Sequence, residues 1–404
     1  MGINTENNHA STNNSAGNDT GSITSINSRL ESTDSITGNI SHLESTNLAD
    51  SSSGAGTRRV LWVDACRAIA IILVLLGHNN PPFVRAIYGF HMPIFFILSG
   101  YVYKDRNTDR TLTDEIIGLL KGYIIPYLIF GTLNLLLHLL HLRISAPDTP
   151  ITSAMVTNYI LGILTVNTDK MPCCYPMWFL PSFAIAMFIF YLMRRFKFLW
   201  DRTIVFVLLT VVMFIIGQHT LPVNLQTIIP GILFAEFGYL TRHVDAIENH
   251  ILQKPANQAK TPYILRLLAI TAVFLILAVL CIHYNPVRPR VDISYGKFGN
   301  FFLFFLGAIS ASIVIMLLAI VMERLNPNII RPLAFLGTHT VFFMAFDAST
   351  NSWGGTILTN IFGSGYSPVW HIAFCTRCLL MAAYFLIWLL LLKLIKPLKK
   401  LTHS

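Results

Sequence analysis

The chain has 404 residues, of which 53% are hydrophobic and only 12% charged, with a formal net charge of +9. Soluble domains carry about 25% charged residues, and the apolar residues here fall in long runs between short basic loops, which excludes an ordinary soluble enzyme. The pattern is that of an all-α, polytopic membrane helix bundle, because membrane strands would alternate in polarity. The basic excess then belongs to loops beside a lipid bilayer, and nucleic acid is excluded as a partner.

Residues 1–57 are rich in Ser, Asn, Thr and Gly. Such a segment cannot bury enough apolar surface to offset its ordering entropy, so a disordered cytoplasmic tail is expected. No apolar segment follows Met1, which argues against a signal peptide, and Glu6 stands where a myristoylation signal needs Ser or Thr.

From Val60 onward the hydropathy predicts ten spans of about twenty residues, near 60–79, 86–103, 122–142, 176–193, 203–219, 224–241, 263–284, 299–322, 332–349 and 370–392. The shorter apolar stretch 151–166 is expected to lie at the interface, and the link Thr220–Val223 makes the fifth and sixth spans a tight hairpin. One set of loops is strongly basic, with Arg58, Arg59, Lys104, Arg106, Lys121, Arg194, Arg195, Lys197, Arg242 and the lysines of 393–400. The opposite loops carry only Arg85, Arg143, Lys170, Arg288, Arg290 and Lys297. Cytoplasmic N- and C-termini follow, with 58–396 as the membrane domain and 397–404 as a basic tail.

The first two spans carry Asp64, Arg67, His78 and His91 within 28 positions. An ionisable group costs about 2.5–3.5 kcal/mol at the centre of a span, so each is a functional candidate. Asp64 and Arg67 are i,i+3 neighbours near the inner end and can pair on one helix face. His78 lies eleven steps on, roughly 16 Å at 1.5 Å per residue, at the outer end. The second span descends from outside, so His91 starts level with His78, while Ser99 and Gly100 lie about 12 Å deeper. Pro93 and Gly100 weaken that helix, which is tolerated where the freed backbone lines a cavity. Two histidines at the outer mouth with a cation and a Ser-Gly pair below describe a polar passage. The plainer reading makes each histidine an interfacial residue.

Arg67 separated by ten residues from His78, then F-H-M-P-I-F-F-I-L-S-G-Y at 90–101, resembles the integral-membrane acyltransferase-3 family. The runs W-F-L-P-S at 178–182 and P-G-I-L-F-A-E-F-G-Y at 230–239 are similar to its fucose 4-O-acetylase-like branch. The resemblance implies a membrane O-acyltransferase of the cell membrane that moves acetyl from cytoplasmic acetyl-CoA to a sugar of a surface polysaccharide or its lipid-linked precursor. No bound cofactor or metal is implied; acetyl-CoA is a co-substrate. It implies His78 as general base, His91 as its assistant, and Arg67 with Asp64, Ser99 and Gly100 on the donor side. Direct transfer and a covalent acyl-histidine both remain open. The competing class is a glycolipid transporter or flippase, which also needs a polar path; no second copy of the motif pair marks the internal repeat common in transporters.

Relatives tend to place a histidine near the outer end of the ninth span, where this chain reads F-F-M-A-F-D at 342–347. Asp347 either orients a mouth histidine, accepts from the sugar, or is a solvated helix end, and the sequence favours the last. Glu236 is expected to face Arg67 or a substrate group, and Arg377 to need Asp347 or a sugar. Trp178 belongs to an aromatic belt or stacks on a sugar, and Trp353, Tyr366 and Trp370 of the last external loop share that ambiguity. His371, Cys375 and Cys378 share one helix face but lack a fourth metal ligand. The adjacent Cys173 and Cys174 are either an oxidised pair or free thiols.

Overall fold

In a computed structural model the chain is described over residues 60–104, 111–196, 224–243, 260–363, 365–367 and 369–394, with 208 and 212 in isolation. The expected tail 1–57, the link Thr220–Val223, the basic tail 397–404 and nearly all of the expected span 203–219 lie outside the described residues. Within them the architecture is helical, and the single β contact is an isolated antiparallel bridge between Asp292 and Lys297.

In chain order the helices are α1 (Leu61–Gly77), α2 (Val84–Tyr88), α3 (Pro93–Val102), α4 (Leu112–Ser145), α5 (Ser153–Thr165) and α6 (Phe179–Arg195). Then come α7 (Leu225–His243), α8 (Lys260–Tyr284), α9 (Phe301–Leu325), α10 (Pro327–Gly337), α11 (Thr340–Phe362) and α12 (Trp370–Leu394). Five of the described helices are long and apolar enough to cross a membrane, and a sixth span appears if α10 and α11 are counted together across their 65° bend. The described residues thus hold five or six of the expected ten spans, and they leave out nearly all of the span 203–219.

Three of the differences have local causes. The expected span 86–103 is two short helices, because the chain turns through Gly89–Met92 before Pro93 opens α3. Proline at that first position has no N–H to leave unpaired, and its ring pre-sets the helical φ. The third span contains a π turn at Leu120–Ile124 immediately before Pro126, a register shift at the residue that cannot donate. The expected ninth span 332–349 is a bent pair, and α11 runs on to Phe362 through the polar stretch 348–356. There Thr350 and Ser352 hydroxyls bond carbonyls four residues back, which satisfies them inside the helix.

α1 is the central helix: it packs on α10, α9, α11 and α3, and ten of its residues are buried. The outward faces of α4, α8 and α12 leave Leu136, Val273, Ile276, Leu379 and Leu386 exposed, a surface that lipid would cover. α5 matches the expected short apolar helix 151–166.

One close helix contact that frames the site is α3 on α7. A Cβ on Gly100 would lie 1.8 Å from the carbonyl oxygen of Ala235, and one on Gly238 would lie 1.9 Å from that of Ile97. Small residues on both sides let the two backbones touch, as is common between membrane helices. Gly100→Ala is therefore expected to force the helices apart at a cost of at least about 1–3 kcal/mol. Gly118→Ala meets nothing within 4 Å and serves as the control. Thermal unfolding in detergent should show a clear loss for the first and none for the second; equal midpoints would contradict this contact.

Candidate active site

The site is built where the end of α1 meets the middle of α11. His78 caps α1, its N–H bonded to the carbonyl of Val74, and its ring reaches across to α11. There His78 Nδ1 bonds Asp347 Oδ2, while Arg377 of α12 donates to Asp347 Oδ1 and, at 3.2 Å, to the Asp347 carbonyl. Asp347 is fully buried. A buried carboxylate is tolerable only when paired and hydrogen-bonded, and here each oxygen has a partner. A carboxylate only accepts, so the proton of neutral His78 sits on Nδ1 and the lone pair of Nε2 is left for chemistry.

His78 lines a cavity of about 360 Å³ together with His91, Tyr88, Tyr175, Trp178 and Arg290. That volume lies in the range of small-molecule sites, about 300–1,000 Å³. His91 sits in the turn that breaks the second span, and its Nδ1 donates to the Ile87 carbonyl at 2.8 Å, which leaves its Nε2 as an acceptor too. The Tyr175 ring lies edge-on to His78 at 5.3 Å, and Tyr88 lies between the histidines at 6.2 and 4.8 Å. Buried aromatic walls with a few convergent polar groups suit a ligand that has both an apolar face and hydroxyls.

Two loops build the rest of the wall. The 166–178 segment contributes Thr168, Pro172 and Tyr175, and the 285–299 segment contributes Arg290, Asp292 and Tyr295. They are tied together by Tyr295 Oη donating to Asp169 at 2.7 Å, and the start of α7 is tied to each, by Asn224 just before it donating to the Val166 carbonyl and by Gln226 donating to that of Ser294. Burial first, then the Asp169 carboxylate, pushes the Tyr295 phenol up to about 12, so it keeps its proton and the tie across the neutral range. Cys173 and Cys174, in the first of these two loops, are free, buried thiols.

The structure brings together His78, His91, Asp347, Arg377 and Trp178 among the expected site residues. It does not bring Asp64 and Arg67 to the same cavity. That pair, bonded at 2.7 Å, sits in the first turns of α1 with Arg67 still 30% exposed. The buried Ala68, Ala70, Ile71 and Val74 fill the helix between the two ends. Ser99 is half-buried in α3, and Gly100 is taken up by the contact with α7.

Three expectations change. Asp347 is not a solvated helix end, because α11 continues for four turns beyond it. Glu236 pairs with Arg194 of α6, whose guanidinium also lies 4.0 Å from the Tyr239 ring centre, instead of meeting Arg67. Trp353, expected in the last external loop, lies inside α11 against His141 at 4.9 Å, while Trp178 is buried at the cavity, which sets aside the lipid-facing belt and keeps the other of its two expected places. Tyr88, Tyr175, Arg290 and Asp292 were not anticipated. Arg290 carried one signal, a cation in loops otherwise poor in them; the tyrosines carried none.

Apolar outer faces around a buried carboxylate–imidazole pair that borders a ligand-sized cavity define a multi-pass membrane protein with a polar site inside its helix bundle. The family model described as an acyltransferase domain, acyltransferase-3, matches residues 60–402. The chain belongs to this family and is a membrane acyltransferase. Neither the search of curated proteins nor that of solved structures finds a significant match.

The pairing at Asp347 predicts a specific stability pattern. Asp347→Ala strands the buried Arg377 and should cost about 3–5 kcal/mol, whereas Asp347→Ala with Arg377→Met should recover much of that. Unfolding measured across the four variants should give a large coupling, and additive losses would contradict the pair.

Proposed function

We propose that this acyltransferase moves an acetyl group from cytoplasmic acetyl-CoA to a sugar hydroxyl of a cell-surface polysaccharide or its lipid-linked precursor, in the manner of the fucose 4-O-acetylase-like branch. The observation that carries this reading is His78, held by the buried Asp347 and opening onto an aromatic-walled cavity. His78 Nε2 takes the proton of the acceptor hydroxyl as its oxygen attacks the thioester carbonyl. The C–S bond then breaks, the imidazolium returns the proton to the leaving thiolate, and the ester and free CoA result. The buried, paired Asp347 carboxylate supports the transient imidazolium electrostatically. His91 Nε2 positions the acceptor hydroxyl, and Trp178 offers its face to the sugar ring.

Arg67, with Asp64 fixing one edge of its guanidinium, meets the donor at the other end of α1, and Ser99 lies on the donor side. The long pantetheine arm of a CoA thioester suits a carrier that must deliver its acyl carbon about 16 Å from an anchoring cation. The cavity then lies on the side of the poorly basic loops, outside the cell membrane, with both termini in the cytoplasm. A flippase reading leaves the His78–Asp347 pair without a task.

His78→Ala and His91→Ala should remove one acetyl from the surface glycan in mass spectrometry while the protein stays in the membrane. Unchanged acetylation in both would sink the mechanism, and loss of the whole glycan would favour transport. Arg67→Lys should raise the KM for acetyl-CoA about tenfold or more, because a point charge cannot replace the planar fork. A wild-type KM would remove Arg67 from the donor site.

A further inference from the structure

The cavity wall also holds a cation that the proton transfer leaves unused. Arg290 is half-buried in the 285–299 loop, its guanidinium carbon 3.9 Å from the centre of the Tyr88 ring. One of its amino groups, Nη1, donates to Asn80 Oδ1 at 2.7 Å, and Asn80 is held in the left-handed region at φ 48°. Among the described residues no Asp or Glu comes within ion-pair distance of Arg290. Asp347 is spoken for by Arg377 and His78. Asp292 shares the cavity, but its Oδ1 accepts from the Ser294 hydroxyl at 2.6 Å. The guanidinium is thus held by stacking and one amide, its other donors have no further partner among the described residues, and Arg290 lines a ligand-sized space. A pre-organised planar fork of this kind matches a carboxylate or phosphate.

The placement relative to the reacting group is informative. His78 and Arg290 flank the same Tyr88 ring, 6.2 and 3.9 Å from its centre, so the two groups lie within about 10 Å of each other. That is the reach of one sugar ring or two. We propose that the acceptor glycan carries an anionic group on or next to the acylated sugar, and that Arg290 selects it, while Asp292 accepts from the sugar's hydroxyls. This rests on the acyl-transfer reading of the cavity. Opposite charges on one wall would also orient the glycan, because Asp292 repels an anion placed at its own end. A sugar carboxylate and a sugar phosphate offer the same oxyanion chemistry to Arg290.

The test uses the full-length protein in lipid nanodiscs and three probes: a disaccharide ending in glucuronate, its carboxyl-reduced glucose counterpart, and glucose 1-phosphate. Equilibrium binding and acetyl transfer from acetyl-CoA are both measured. The wild type should favour an anionic probe over the neutral one by about tenfold or more, the scale of a charge-assisted hydrogen bond. Which anionic probe prevails tells carboxylate from phosphate. Arg290→Gln should bring the ratio of anionic to neutral close to one, and Arg290→Lys should keep part of it. Equal affinity of the wild type for neutral and anionic probes, binding of no anionic probe, or an unchanged ratio in Arg290→Gln would overturn the proposal. Anion preference with no acetyl transfer to any probe would support the subsite and overturn the acyl-transfer reading instead.

Discussion

The arrangement of this protein depends on one buried charge. Asp347 has no exposure, and a carboxylate in that position needs partners on both oxygens. Arg377 supplies one from α12, and His78 supplies the other from the end of α1, so a single side chain joins three helices. The cost of burying the carboxylate is offset only when all three helices are docked, which couples correct assembly of the bundle to correct orientation of the imidazole.

The rest of the site follows from where α1 stops. The helix ends at Gly77, and the chain must then reach α3 through two short breaks. That puts the Gly89–Met92 turn, and with it His91, beside His78. Touching backbones at Gly100 and Gly238 hold α3 against α7, and α7 in turn fixes the two loops that wall the cavity through Asn224 and Gln226. The buried pair Arg194–Glu236 braces α6 against α7 at a separate place. It is a structural tie of the kind that makes an intramembrane charge tolerable without placing it at the reacting atoms.

Much of this was legible in the sequence, and the reasons differ by residue. Ionisable groups in apolar runs are few, so Asp64, Arg67, His78, His91, Glu236, Asp347 and Arg377 all stand out on desolvation cost alone. Pairing within a helix, as for Asp64 and Arg67, is fixed by spacing. Pairing between helices is not: the partner of Glu236 depends on α6 meeting α7, and the exposure of Asp347 depends on α11 continuing through 348–356. That stretch is polar and Gly-rich, so it reads as a loop, yet back-bonded hydroxyls and neighbouring helices carry the helix onward. The broken second span escaped for a related reason, because hydropathy averages over a turn of four residues. Tyr88 reaches the cavity from the end of the five-residue α2, and Tyr175 and Arg290 from the two wall segments; elements this short leave no periodic trace.

The central claim is that Asp347 holds His78 in the state and orientation that make it a base. The most direct measurement is the kcat for the proposed acyl transfer by Asp347→Asn, in preparations matched for folded protein, beside the KM for the acyl donor. Loss of an oriented general base predicts a fall in kcat of about 10²–10⁴-fold with KM little changed. A kcat within a few-fold of the wild type would contradict the claim.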